Sequence, residues 1–492
     1  MKVLFRADAG PDIGAGHVMR SLSLARALPP SAEPVLVTRS GVPGLAAHAD
    51  DAGIGVREIA DAFPHPADLA TVMTELSGAD HSWAIVDGYH FDQRYYDALR
   101  GAGARVMVID DGARLPRYDV DVLLDQNLGA LQQPYHSAAT LLLGPRFALL
   151  RPEFATLRAP LNATVANVLV AMGGADPSNT TRLAVEALLA TGTRATMTVV
   201  IGAANRHAAE LQHAYGARAG IELLVNVTQF AALAARADLA VVSVGGVMWE
   251  MACLNVPSVV VSAAPFQSAI AARVAAYGAH LFAGAHDELS VSALAEAIKP
   301  LLDDRDRRAV MARLGRQLID GRGAKRTVSA LIAPAAEWTL RPATVGDAEA
   351  VWEIAADPGV RQQAFTAGSF SFESHERWFA DRIQRATSRI WVAERNGVIG
   401  GFVRYDLDGR AAVISFAVAA PFRGRGLGRL LLERTHRDAC RELGAEVAHG
   451  SVLVDNAASQ TAFLRAGFAE TARATVHDRA CVIYEAPAGG QS

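Results

Sequence analysis

The chain has 492 residues, 51% of them hydrophobic and 20% charged, with a formal net charge of −4. That length requires more than one core, and that balance excludes a disordered chain and a generally basic, nucleic-acid-binding surface. Cys253, Cys440 and Cys481 have neither metal spacing nor a disulfide framework, and no apolar run approaches the roughly 20 residues of a membrane span. The start, M-K-V-L-F-R-A-D, carries charges inside what would be a signal peptide's apolar core. A cytoplasmic protein with no nucleic-acid partner, no membrane partner and no metal is expected.

From residue 1 to 155, predicted strands at Val3–Phe5, Pro34–Thr38, Trp83–Asp87, Val106–Asp110 and Asp121–Leu124 alternate with helical segments such as Ala67–Leu76 and Asp92–Arg100. That alternation predicts a parallel sheet with helices on both faces. After the first strand, Gly10 to Arg20 reads G-P-D-I-G-A-G-H-V-M-R and opens a helical pattern at His17. A glycine turn between strand and helix makes a nest of backbone N–H groups suited to an anion, and His17 puts a titratable group at its lip. Asp8, Asp87, Asp110 with Asp111, and Gln126 with Asn127 stand at strand ends, where the ligand crevice of such a sheet lies. Adjacent strand residues face opposite ways, so Asp110 and Asp111 are expected to make separate polar contacts rather than hold a metal.

Residues 156–335 repeat the scheme. Strands are predicted at Val168–Met172, Met197–Ile201, Glu222–Val225, Leu239–Ser243 and Ser258–Ser262, with consecutive helices from 287 to 334. Glycine turns follow at Gly173-Gly174-Ala175-Asp176-Pro177-Ser178-Asn179 and at Ser243–Glu250, S-V-G-G-V-M-W-E. Two Rossmann-like lobes closing on a nucleotide-linked substrate are expected.

Near residue 336 the pattern changes to α+β. Thr344-Val-Gly-Asp347 signals a helix start, and Asn396-Gly397 between Ile390–Glu394 and Val398–Tyr405 signals a hairpin. Asp408-Gly409 turns into a strand at Ala412–Val418. Arg423-Gly424-Arg425-Gly426-Leu427-Gly428 then opens a helix to about Leu443, followed by a strand at Glu446–Val454 and a helix at Asn456–Ala466 closed by Gly467. The glycine run can wrap a pyrophosphate at a helix N-terminus.

Taken with N-A-A-S-Q-T-A-F-L-R-A-G-F (Asn456–Phe468), this order over residues 338–486 resembles the GNAT N-acetyltransferases. The resemblance implies acetyl-CoA as cosubstrate, held by Val418, Arg423, Gly424, Arg425, Gly426, Leu427, Gly428 and Asn456, with the thioester where strands splay apart. Many members place a tyrosine where this chain has Phe463, and that tyrosine can protonate the leaving thiolate. Phenylalanine cannot, so another acid or water serves, and Phe463 itself reads as a helix-face core residue. His375, beside Trp378 and Phe379, is a candidate base for acetyl transfer and equally a packing residue.

Residues 1–335 resemble the UDP-sugar hydrolases of pseudaminic acid biosynthesis. The matching stretches are R-A-D-A-G-P-D-I-G-A-G-H-V-M-R, V-D-G-Y, I-D-D-G, L-L-D-Q-N-L, L-L-L-G-P-R-F-A-L-L-R-P-E-F and A-M-G-G-A-D-P-S-N-T-T. The resemblance implies a GT-B pair of lobes acting on UDP-2,4-diacetamido-2,4,6-trideoxy-β-L-altropyranose. His17 would be the base for water, displacing UDP with inversion. UDP and sugar would be held by Gly14, Gly16, Asp87, Asn127, Arg151, Gly173, Gly174, Asp176, Gly245, Gly246, Glu250 and Gln267, with the phosphates at Gly245–Gly246 and the ribose near Glu250. Met248 and Phe266 stand where that family commonly has threonine and asparagine, which bears on the sugar more than on the reaction.

The combined expectation is an α/β protein with two successive activities on one UDP-amino sugar. The C-terminal domain would acetylate the 4-amino group and the N-terminal lobes would hydrolyse the diacetamido product, with other enzymes of the same pathway as possible partners. A GT-B glycosyltransferase, a hydrolysing UDP-sugar 2-epimerase and a nucleotide-sugar sensor without turnover are the alternatives.

Overall fold

The structure is a computed structural model that describes residues 1–10, 13–39, 44–77, 82–263, 265–332, 337–365, 368 and 370–489. Pro11 and Asp12 of the first glycine stretch, and the side chain of Phe266, lie outside the described residues. The chain divides into two compact units, Met1–Leu128 with Ser137–Ala333, and Gly129–His136 with Pro334–Ser492.

The first unit contains two parallel sheets. The first is built from β1 (Lys2–Ala7), β2 (Glu33–Thr38), β3 (Gly55–Glu58), β4 (Trp83–Asp87), β5 (Arg105–Ile109), β6 (Val122–Asp125) and β7 (Thr140–Leu143), in the order β3-β2-β1-β4-β5-β6-β7. The second contains β8 (Asn167–Ala171), β9 (Thr196–Ile201), β10 (Ile221–Val225), β11 (Leu239–Ser243), β12 (Ser258–Ser262) and β13 (Leu281–Ala285), in the order β10-β9-β8-β11-β12-β13. All pairs in both are parallel. Helices cover such sheets on both faces, so central strands read as continuous apolar runs. All five residues of Trp83–Asp87 are buried, as are all five of Ser258–Ser262. Each fully buried valine or isoleucine there contributes about 1.5–3 kcal/mol.

Strand order reverses between β1 and β4 in the first sheet, and between β8 and β11 in the second. At such a switch point neighbouring loops diverge and leave a crevice at the carboxyl ends of the strands. The glycine turns after β1, β8 and β11 all open there.

The second unit holds a sheet of β14 (Thr339–Pro342), β15 (Ser388–Arg395), β16 (Val398–Asp408), β17 (Ala411–Val418), β18 (Val447–Leu453), β19 (Ala469–Val476) and β20 (Arg479–Pro487), in the order β14-β15-β16-β17-β18-β20-β19. The Asn396-Gly397 turn has both φ angles positive, 52° and 78°, as a tight hairpin demands. Thr344 and Asp347 form a reciprocal capping box. Gly129–His136 belongs with this unit: the Leu131 N–H donates to Glu353 Oε1 at 2.7 Å and the Gln132 side-chain amide to the Glu353 carbonyl at 2.9 Å.

β17 runs parallel to β18, and the two pair only over Ala411–Val413 and Val447–His449. Beyond that point Ile414–Val418 and Gly450–Leu453 part, leaving a fork that opens toward the Arg423–Gly428 loop.

Candidate functional site

His17 lies in the first turn of the helix Gly16–Ala25, which follows β1. Its Nδ1 is 2.6 Å from Asp87 Oδ1, at the end of β4. The strands that flank the switch point thus bring the two residues together. A neutral imidazole that donates Nδ1–H to a carboxylate keeps Nε2 as a lone-pair acceptor, the tautomer of a general base. His17 is 8% exposed, at the lip of the crevice rather than deep in the core.

Arg20, one helical turn on, holds the arrangement. Its Nη2 and Nε donate to the two Asp87 oxygens at 2.7 and 2.9 Å, and Nη1 donates to Asp111 at 2.9 Å. Nη2 also lies 3.0 Å from His17 Nδ1; both atoms are donors in the base tautomer, and both converge on Asp87 Oδ1. Burial alone would raise the Asp111 carboxyl, and Arg20 more than reverses this, holding it well below the usual carboxylate range. The Tyr89 hydroxyl donates to Asp111 Oδ2 at 2.9 Å, and its ring meets the His17 ring edge-on at 4.8 Å. Burial, followed by the Asp111 charge, pushes the Tyr89 hydroxyl above its ordinary value, so it remains a donor. The Asn127 amide bridges Asp111 and Asp125 at 2.8 and 2.9 Å. Asp110 pairs separately with Arg114 at 3.0 Å.

The strand-end pattern in the sequence points to His17, Asp87, Asp111 and Asn127 here, and not to Arg20 or Tyr89. The i, i+3 spacing of His17 and Arg20 puts them on one helix face and was the available signal.

The three glycine turns differ in what meets their helix starts. Asp176 Oδ1 and Oδ2 accept from Thr180 N–H and Thr181 N–H at 2.8 and 2.9 Å, so Asp176 caps its own helix. The Gly173–Gly174 turn instead abuts the first lobe: a Cβ on Gly174 would come within 3.2 Å of the Ala15 nitrogen. By contrast, no side chain caps the helices Gly16–Ala25 and Gly246–Leu254, and a Cβ on Gly14, Gly16, Gly245 or Gly246 would meet nothing within 4 Å. Backbone N–H groups with open space before them are the anion-binding form of a helix start.

Glu250 lies one turn into the second of these helices. Burial pushes its carboxyl up to about 7, against the opposing pull of Arg151, whose Nη2 is 3.8 Å away. Gln267 Oε1 accepts from the Ala263 N–H at 2.9 Å after β12. Met248 is fully buried and faces the core. Among the described residues no group of three or more His, Cys, Asp or Glu could hold a metal ion, and no helix is long and apolar enough to cross a membrane.

In the second unit the loop after β17 is exposed from Arg423 to Gly426. Gly424 and Gly426 are left-handed, φ 72° and 82°, and Cβ atoms there would enter open space. Leu427 begins the helix Leu427–Leu443, and its start lacks a side-chain cap. Arg423 is tied to Asp357 at 2.6 Å and to the Val418 carbonyl at 3.0 Å. Asn456 caps its helix by accepting from the Ser459 N–H at 3.1 Å. Phe463 is buried, stacked on Tyr484 with ring centroids 5.3 Å apart and edge-on to Phe416. His375 is buried among the rings of Phe370, Trp378 and Phe379. Burial pushes it down to about 4, and its Nε2 has no hydrogen-bond partner, a setting that suits packing better than proton transfer.

Residues 338–469 match the family model of the acetyltransferase (GNAT) domain. A 34% identity over 123 residues relates the chain to L-2,4-diaminobutyric acid acetyltransferase of Streptomyces coelicolor, covering 24% of this chain and 67% of that protein. The spore coat polysaccharide biosynthesis protein SpsG of Bacillus subtilis is 28% identical over 195 residues, 38% of this chain and 57% of its own. The uncharacterized protein MJ1062 of Methanocaldococcus jannaschii is 24% identical over 275 residues, 53% of this chain and 55% of its own. The chain thus spans little more than half the length of these last two relatives.

Proposed function

We propose, from the premise that the chain belongs through residues 338–469 to the acetyltransferase (GNAT) family, that it acts twice on one nucleotide-linked amino sugar. The C-terminal unit transfers an acetyl group from acetyl-CoA to the sugar's 4-amino group. The two Rossmann-like lobes, paired as in GT-B enzymes, then hydrolyse the diacetamido product to free sugar and UDP. The substrate is UDP-2,4-diacetamido-2,4,6-trideoxy-β-L-altropyranose, on the route to pseudaminic acid-type sugars. The relative named as a diaminobutyric acid acetyltransferase supports acetyl transfer to an amine, and SpsG, named for spore coat polysaccharide biosynthesis, supports a place in sugar biosynthesis.

The observation that carries the hydrolytic half is the bond from His17 Nδ1 to Asp87. Water gives a proton to Nε2 as its oxygen attacks the anomeric carbon, and Asp87 stabilises the imidazolium that results. The C1–O bond breaks with its electron pair going to UDP, and the configuration at C1 inverts. UDP leaves as a stabilised anion, so no strong general acid is needed. Its phosphates lie on the uncapped helix start at Gly245–Gly246.

The test is incubation with the UDP-linked 4-amino sugar, with and without acetyl-CoA, followed by NMR. Acetylation followed by UDP release without lipid or sugar acceptor is expected. Strict acceptor dependence makes it a glycosyltransferase, change at C2 an epimerase, and absence of turnover a sensor.

Glu250 supplies a pH-dependent check. Ribose hydroxyls donate to a carboxylate, so binding favours the deprotonated form of a group that titrates near 7. UDP affinity should rise with pH up to about 7, by as much as about tenfold per unit. Calorimetry between pH 6 and 8 should show that slope in the wild type and lose it in Glu250→Gln.

A further inference from the structure

Opposite the Phe463 side of the second unit's sheet, β18 and β20 carry a polar row that the functions above do not use. His449 pairs in register with Glu485, and its Nδ1 lies 3.0 Å from Glu485 Oε1. Ser451 Oγ is 3.5 Å from His449 Nε2. His449 is also the last residue of β18 to pair with β17, opposite Val413, so it stands at the vertex of the fork. Across the sheet, register partners share a face. Asp406, Val413, His449 and Glu485 therefore form one row on this face, and Arg404 with Ser415 lies one step nearer the open end. Phe416, Gly450 and Tyr484 are on the other face, where Phe463 packs.

We propose that His449, oriented by Glu485, is the proton acceptor for acetyl transfer at the fork between β17 and β18. The inference rests on the acetyltransferase reading of this unit. From Val418, beside the pyrophosphate loop, to Val413 at the vertex is five residues of strand, about 17 Å. An extended pantetheine arm entering the fork from that loop spans a comparable length and brings its thioester to His449. Nδ1–H donates to Glu485, and the Nε2 lone pair, met here only by the Ser451 hydroxyl at 3.5 Å, takes the amine's proton as the amine displaces that long contact. The amine nitrogen attacks the thioester carbonyl; the C–N bond forms, the C–S bond breaks and the electron pair leaves on sulfur. The nitrogen's surplus proton passes to Nε2 and from there, through solvent, to the CoA thiolate. Phe463 has no proton to give, and on this route none is needed from it. His449 side-chain exposure of 27% gives solvent access for that return.

The test uses the full chain, acetyl-CoA and the UDP-linked 4-amino sugar, with NMR of the labelled imidazole as a second readout. His449→Gln should lower kcat for acetylation by about 10²–10⁴-fold and leave acetyl-CoA affinity and UDP release unchanged. Glu485→Gln should shift the pH profile of kcat with little change in KM. Independently of any acceptor, acetyl-CoA alone should shift the His449 Nε2 resonance, which should report an unprotonated nitrogen. An active enzyme with a wild-type rate in His449→Gln overturns the assignment and leaves the acetyltransferase reading intact. A wild-type chain that binds acetyl-CoA and perturbs His449 but transfers nothing to this amine overturns the acceptor. A His449 resonance indifferent to acetyl-CoA overturns the assignment whatever the activity.

Discussion

His17→Ala lowers UDP release by about 10²–10⁴-fold, the contribution of a positioned general base, and leaves acetyl transfer at the wild-type rate. The expectation rests on how few groups in the crevice can replace the imidazole. Asp87 is engaged by His17 Nδ1 and by Arg20, Asp111 by Arg20, Tyr89 and Asn127, and the Tyr89 hydroxyl remains protonated. Asp87→Asn should approach the same loss, because an amide in place of the carboxylate favours the wrong tautomer of His17, as in serine-protease triads. Arg20→Ala is a poorer probe: it leaves two buried carboxylates without their cation, a loss of about 3–5 kcal/mol of stability. The measurement is initial-rate UDP release, with acetyl transfer assayed on the same preparation. Release that survives in His17→Ala at the wild-type rate removes His17 from the mechanism.

Gly426→Val does the reverse, lowering kcat/KM for acetyl-CoA by about ten- to a hundredfold and leaving UDP release untouched. Gly426 has φ 82° with no atom within 4 Å of where a Cβ would stand, so the effect is conformational and not a clash. A β-branched residue held left-handed costs about 1–3 kcal/mol, and the loop relaxes by turning its N–H groups away from a pyrophosphate. Arg425→Ala should weaken acetyl-CoA in the same direction through lost charge, with a smaller effect on loop shape. Unchanged acetyl-CoA affinity in both variants would move the pyrophosphate elsewhere.

The central strands and the glycine turns were legible because buried parallel strands are continuous apolar runs and their ends carry the polar residues. That logic led from His17 to Asp87, seventy residues apart in sequence. The edges were not. Gly55–Glu58 is short and mostly polar, and Leu281–Ala285 contains a glycine beside a register shift. The hairpin β19–β20 turns at His477-Asp478 with both φ angles positive, a conformation that neither residue signals as Asn-Gly does. Gly129–His136 joins the second unit through contacts such as Leu131 to Glu353, and sequence-local periodicity carries no information about partners 222 residues away. At the site, Asp176 is grouped by resemblance with the UDP- and sugar-binding residues, and its carboxylate caps a helix. The same local pattern serves both ends, and only the direction of the side chain separates them.

On the proposed reading, one chain acetylates a UDP-linked amino sugar and then cuts it from UDP with water. The most direct measurement is the conversion of the UDP-linked diacetamido sugar in oxygen-18-enriched water, with no acceptor present. The label should appear at C1 of the released sugar, with inverted configuration and unlabelled UDP. Label in the β-phosphate of UDP, or no release until an acceptor is added, would contradict it.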